Sequence, residues 1–92
     1  MTSRTVTVVN QLGLHARAAA KFVHLASGFR SRVLVIRQGR EMDGKSIMGL
    51  LLLAAARGTL ITIAADGIDE QAAVDQLAEL VASGFGEDTC NA

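Results

Sequence analysis

Proline, tryptophan and tyrosine are absent from this 92-residue chain, and cysteine occurs once. With no proline, no serine/glycine-rich linker, no internal repeat and no low-complexity tract, nothing divides the chain. It reads as a single domain over residues 1–92, small but able to fold alone. The lone Cys90 has no internal partner, which excludes a disulfide framework and points to a reducing cytoplasm. Only Phe22, Phe29 and Phe85 are aromatic, so the core must come from Val, Leu, Ile and Ala. Nine basic and nine acidic residues cancel. With neither a basic groove nor a stacking platform, nucleic acid is not an expected partner. The longest apolar run, Ile47 to Ala56, is broken by Gly49 and is too short to insert across a bilayer. Met1-Thr2-Ser3-Arg4 leads directly into a strand pattern, and no secretory signal is visible.

What is present is periodicity. Thr5 to Val9 alternates β-branched residues and predicts a strand with Val6 and Val8 on one face. Ala16 to Ala26 predicts a helix burying Ala19, Phe22, Val23 and Ala26, stopped by Gly28. Arg32 to Arg37 and Arg40 to Asp43 form a hairpin about a Gln38-Gly39 turn. Ser46 is a natural N-cap for a helix from Ile47 to about Ala55, with Gly58 beyond its end. Leu60 to Ala64 is a fourth strand. Asp69 then caps a helix from Glu70 to Ala82 that buries Ala73, Val74, Leu77, Leu80 and Val81. Residues 84–92 are expected to be a loose tail. The order β-α-β-β-α-β-α predicts an α+β, two-layer open-faced sandwich with helices on one face of a four-stranded sheet.

Gly13-Leu14-His15-Ala16-Arg17-Ala18 is the chemically distinctive stretch. It sets a histidine and an arginine where a helix begins, and a helix N-terminus attracts anions through its unpaired amides and positive dipole end. The backbone amides of Ala16, Arg17 and Ala18 can donate to a phosphoryl group carried on the His15 imidazole. Arg17 adds a planar donor fork suited to phosphate. A plainer reading stays open on these residues alone: His15 hydrogen-bonds a loop carbonyl and Arg17 is a solvated helix residue. His24 lies nine residues on, half a revolution from His15, and reads as a surface residue. With no other Cys/His cluster, no metal site is expected.

The second distinctive segment is Asp43-Gly44-Lys45-Ser46-Ile47-Met48-Gly49 and the leucines after it. Ile47, Leu50, Leu51 and Ala54 can face the sheet, whereas Met48 and Leu52 fall outside that stripe and are expected to be partly exposed. Such residues suit a docking surface; a more deeply buried helix is the alternative. Capping alone accounts for Ser46. A phosphate there would be tolerated by the helix dipole and would bring about two negative charges at neutral pH to the patch.

These residues together resemble HPr, the histidine-containing phosphocarrier of the phosphoenolpyruvate-dependent sugar phosphotransferase system, and its nitrogen-branch relative NPr. The resemblance runs from Val6 to about Val81. It rests on Asn10-Gln11-Leu12-Gly13-Leu14-His15-Ala16-Arg17, Gly44-Lys45-Ser46-Ile47-Met48, Gly58-Thr59 with Thr62-Ile63, and Asp66-Gly67 with Asp69-Glu70. It implies an antiparallel sheet ordered 1-4-2-3 with three helices on one face. It further implies that His15 is phosphorylated on Nδ1 by phosphorylated Enzyme I and passes the group to an EIIA-type acceptor, Arg17 stabilising it. Ser46 would be the site of HPr kinase/phosphorylase, and Ile47, Met48, Leu51 and Leu52 the shared partner surface. No cofactor is implied, and a cytoplasmic monomer is expected, a carrier with a phosphohistidine intermediate rather than a turnover enzyme by itself. The chain departs from the family at Ala18, where proline is usual; alanine restores an amide donor and removes the fixed φ. The stretch Ser83 to Asp88 is similar to NPr-type ends and suggests a Gram-negative regulatory version.

Two other classes compete with the carrier. One is a regulatory interaction module of nitrogen-branch or catabolite-control type, governed by phosphorylation of Ser46 with transfer through His15 vestigial. The other is an unrelated α+β binding domain, disfavoured by the absent basic groove.

Overall fold

The computed structural model describes residues 1–86. Its elements are β1 (Thr2–Thr7), α1 (Ala16–Ala26), β2 (Arg32–Arg37), β3 (Arg40–Asp43), α2 (Ile47–Leu53), β4 (Leu60–Asp66) and α3 (Glu70–Ala82). Alternation along the strands decides which sheet face is covered. In β2, Val33 and Val35 are buried while Leu34 and Ile36 are only half-buried. In β4, Ile61 and Ile63 are buried while Leu60 is 61 % exposed. The strands pair antiparallel in the order β1-β4-β2-β3, as expected. At the β1–β4 seam Thr5 faces Thr62, and their hydroxyls lie 2.9 Å apart. Gln38 and Gly39 both have positive φ, the geometry of a two-residue turn whose twist matches the flanking strands.

Helix α3 packs across β1 and β4, α2 lies against β3, and α1 touches both α2 and α3. The core between the layers holds Val8, Phe22, Val33, Val35, Leu50, Leu53, Ile61, Ile63, Leu77, Val81 and Phe85.

Several expectations are corrected. Strand β1 starts at Thr2 and ends at Thr7, so Val8 is buried just after the strand, not within it. Helix α2 ends at Leu53 because Ala54 turns left-handed (φ 53°) and Arg37 Nη1 donates to the Leu53 carbonyl at 3.0 Å. Its covered residues are Gly49, Leu50 and Leu53; Ile47 and Ala54 face outward, and Leu51 is half-buried. On α3, Ala78 is buried and Leu80 only partly so.

Asp69 precedes α3 but its side chain does not cap it. Its carboxylate instead accepts from the Arg30 and Ser31 amides, each at 2.9 Å, and from the Ser31 hydroxyl. That set ties the α1–β2 turn to the β4–α3 turn. The Ser31 hydroxyl, then the Arg30 amide, lower the Asp69 pKa to about 2.

Finally, residues 84–86 are folded, not loose. Gly84 (φ 75°) closes α3 in a Schellman motif: the Phe85 amide donates to Leu80 O at 2.9 Å and the Gly84 amide to Val81 O at 3.0 Å. The reversal drives Phe85 into the core, fully buried. Lys21 Nζ, from α1, holds the Phe85 carbonyl at 2.8 Å. The rest of the expected tail, and Cys90, lie outside the described residues.

Candidate functional site

The His15 site is assembled by a loop and the start of a helix. The chain leaves β1 and runs beside the segment after α2: the Val8 amide donates to Thr59 O at 2.9 Å and the Gly58 amide to Val8 O at 2.7 Å. The Leu14 amide then donates to Ala55 O at 2.9 Å. Gly13 sits at φ +67°, and a Cβ there would stand 2.6 Å from that same Ala55 carbonyl oxygen. Both backbone conformation and space therefore demand glycine. The closed loop delivers His15 to the N-cap of α1 with extended backbone, φ −84° and ψ −179°.

The imidazole is the cap itself. His15 Nδ1 accepts from the Arg17 amide at 3.3 Å, and the His15 carbonyl accepts the first helical bond, from Ala19, at 2.8 Å. An N–H aimed at Nδ1 requires a lone pair there, so a singly protonated ring carries its proton on Nε2. The nitrogen with the free electron pair thus faces the helix start, where first-turn amides lack carbonyl partners four residues back. His15 is half-buried and Arg17 exposed.

Of the three amides expected to hold an anion, Arg17's is aimed at Nδ1. Ala16 and Ala18 flank it in the same turn, Ala16 exposed and Ala18 with its methyl fully buried. Arg17, Ala20, Lys21, His24 and Leu25 of α1, with Leu80 of α3, line an open groove of about 530 Å³. His24 is exposed on that groove, away from any histidine cluster.

The Ser46 segment occupies the neighbouring helix. Ser46 Oγ accepts from the Gly49 amide at 3.0 Å, a true N-cap, and the residue is half-buried. Lys45 reaches back to donate to Phe29 O at 2.8 Å. Met48 and Leu52 are exposed (67 % and 54 %), with Ile47 beside them at 43 %. Sequence reasoning missed two residues near His15. Leu12 is 71 % exposed in the loop, and Asn10 is fully buried, its Nδ2 donating to Gly13 O at 2.7 Å. An apolar residue between Gln11 and Gly13 in a turn was the available signal for Leu12. No helix among the described residues is long and apolar enough to cross a membrane.

The site thus sets a half-buried imidazole at a helix N-terminus on a β-α-β-β-α-β-α sandwich. The family model described as "PTS HPr component phosphorylation site" matches residues 2–83. The phosphocarrier protein HPr of Cupriavidus necator is 52 % identical over 87 residues, covering 95 % of this chain and 98 % of that protein. The HPr of Xylella fastidiosa (strain Temecula1) is 49 % identical over 89 residues, covering 97 % and 100 %. Among solved structures, the crystal structure of HPr-C-His from Thermoanaerobacter tengcongensis superposes with a TM-score of 0.91 at 40 % identity, covering 96 % of this chain and 99 % of that one. The chain belongs to the HPr family, the phosphocarriers of the phosphotransferase system.

Proposed function

We propose that His15 accepts a phosphoryl group on Nδ1 from phosphorylated Enzyme I and hands it to a histidine of an EIIA-type protein. The observation that carries this reading is the Arg17 amide aimed at Nδ1 from the start of α1. At 3.3 Å that bond is long and weak. When the N–P bond forms at Nδ1, as the donor's own bond to phosphorus breaks, the amide exchanges a nitrogen acceptor for a phosphoryl oxygen. The first-turn amides and dipole stabilise the incoming charge, and the Arg17 guanidinium offers a charge-assisted fork. Little rearranges, which suits a carrier that must both receive and release the group.

Ile47, Met48, Leu51 and Leu52 form the apolar part of the surface that donor and acceptor share, with Leu12 added from the loop. Ser46 is read as a regulatory phosphorylation site for HPr kinase/phosphorylase. Its hydroxyl opens α2, so a phosphate would sit at a favourable helix end while placing negative charge beside Met48. The protein acts as a single cytoplasmic domain and a monomer. In the regulatory reading, Ser46 matters more than His15.

Incubation with phosphoenolpyruvate and Enzyme I tests the carrier reading. One phosphate should be added, labile in acid and stable in base, and absent in His15→Ala. An unlabelled parent chain overturns it. The regulatory reading expects ATP-dependent labelling at Ser46 and partner binding that survives His15→Ala.

A further inference from the structure

Among the described residues, two that are fully buried carry a polar side chain, Asn10 and Ser31. Ser31 is spent on the Asp69 tie described above. Asn10 belongs to the loop that ends at His15, and a buried carboxamide is costly unless its bonds are made. Its Nδ2 donates to the Gly13 carbonyl at 2.7 Å, the shorter of two bonds which that oxygen accepts. The other comes from the His15 amide at 3.0 Å. The Gly13 amide closes the turn from the opposite side, donating to Asn10 O at 3.1 Å. The oxygen that anchors the His15 backbone is therefore itself held by the Asn10 side chain. Gly84 packs beside Asn10: a Cβ at Gly84 would lie 3.6 Å from the Asn10 Cβ.

We infer that Asn10 is a positioning residue for phosphoryl transfer: it fixes the Gly13 carbonyl, and through it the His15 amide, so that Nδ1 stays aligned with the first-turn amides of α1. The proposal rests on the reading of His15 as phosphoryl acceptor. Alignment is what the chemistry needs here, since a displacement of about 1 Å can cost about a hundredfold in rate. The turn's bonds run among Asn10, Gly13 and His15 and none belongs to the strand pairing, so their loss acts first on the loop.

Asn10→Ala removes the donor, whereas Asn10→Ser keeps a short hydroxyl that can bond a nearby carbonyl more weakly. Phosphorylation by Enzyme I and phosphoenolpyruvate is followed for the parent chain, both variants and His15→Ala, with rates expressed per folded molecule. Amide exchange at His15, Val35 and Ile63 is followed by NMR. Asn10→Ala is expected to lower kcat about tenfold or more, with KM within about twofold, and Asn10→Ser to recover a large part of that loss. The His15 amide should exchange faster while Val35 and Ile63 stay protected. If kcat per folded molecule matches the parent in Asn10→Ala, or, where the alanine variant does not fold, in Asn10→Leu, which also lacks the donor, the positioning role is overturned. The same holds if exchange rises equally at all three amides. A parent chain that takes no phosphate at His15 overturns the acceptor reading itself, and this proposal with it.

Discussion

Arg17 and Ala54 show how single residues set the site's properties. Arg17 is exposed, so its contribution to folding is small; on the proposed carrier reading its guanidinium meets a phosphoryl group at Nδ1. A hydrogen bond to a charged group contributes about 1.5–3 kcal/mol. Arg17→Ala should therefore slow phosphoryl transfer about ten- to a hundredfold while leaving the melting temperature nearly unchanged, read by rapid-quench labelling and calorimetry. Arg17→Lys should fall between, since an ammonium cannot supply a fork. Ala54 ends α2 at φ 53°, a region that disfavours any residue with a Cβ. Ala54→Gly is expected to stabilise the fold by about 1 kcal/mol, measured by urea denaturation.

At the scale of the element, the caps carry the argument. Ser46→Ala removes the acceptor for the Gly49 amide and should cost about 1 kcal/mol. Phe85→Ala should cost about 3–5 kcal/mol, because a fully buried aromatic leaves a cavity that the core cannot refill. A tail residue would cost almost nothing, so urea midpoints of the two variants separate the roles. The sequence was most readable where one rule acted alone. Helix α1, both hairpin strands and α3 lie at the expected residues, because apolar spacing and glycine turns there agree with the packing. The His15 and Ser46 positions at helix starts were legible for the same reason. Thr2-Ser3-Arg4 hid the start of β1, since its polar residues give no alternation. Asp69 looked like a cap from its place in the chain, but tertiary bonds to Arg30 and Ser31 claimed its carboxylate. Gly84 followed by an aromatic carried a legible Schellman signal that the proximity of the chain's end obscured. Asn10 gave no signal, because an asparagine in a turn looks the same whether buried or solvated.

For the molecule as a whole, the Asp69 tie makes acid stability predictable in sign. Asp69 titrates near 2 in the folded protein against an ordinary value of 3.8. Its ionised form is thus favoured by folding, and the contribution is complete above the unfolded value and lost as pH falls through the folded one. The Gly67 amide and then the N-terminal amine lower Glu70 in the same direction. Urea midpoints should fall steadily from about pH 4 toward pH 2, and Asp69→Asn should flatten that slope. An unchanged slope in the variant would place the acid sensitivity elsewhere.

The pairing of β1 with β4 has a consequence for how the chain comes into being. Thr7 finds its partner only at Leu60, so at a synthesis rate of about 5–20 residues/s the first strand waits several seconds beyond the ribosome with no mate. A strand in that position is exposed to adhesion with any other nascent polypeptide. Threonine, serine and arginine fill all but one of its six positions, which makes it a poor seed for aggregates while it waits.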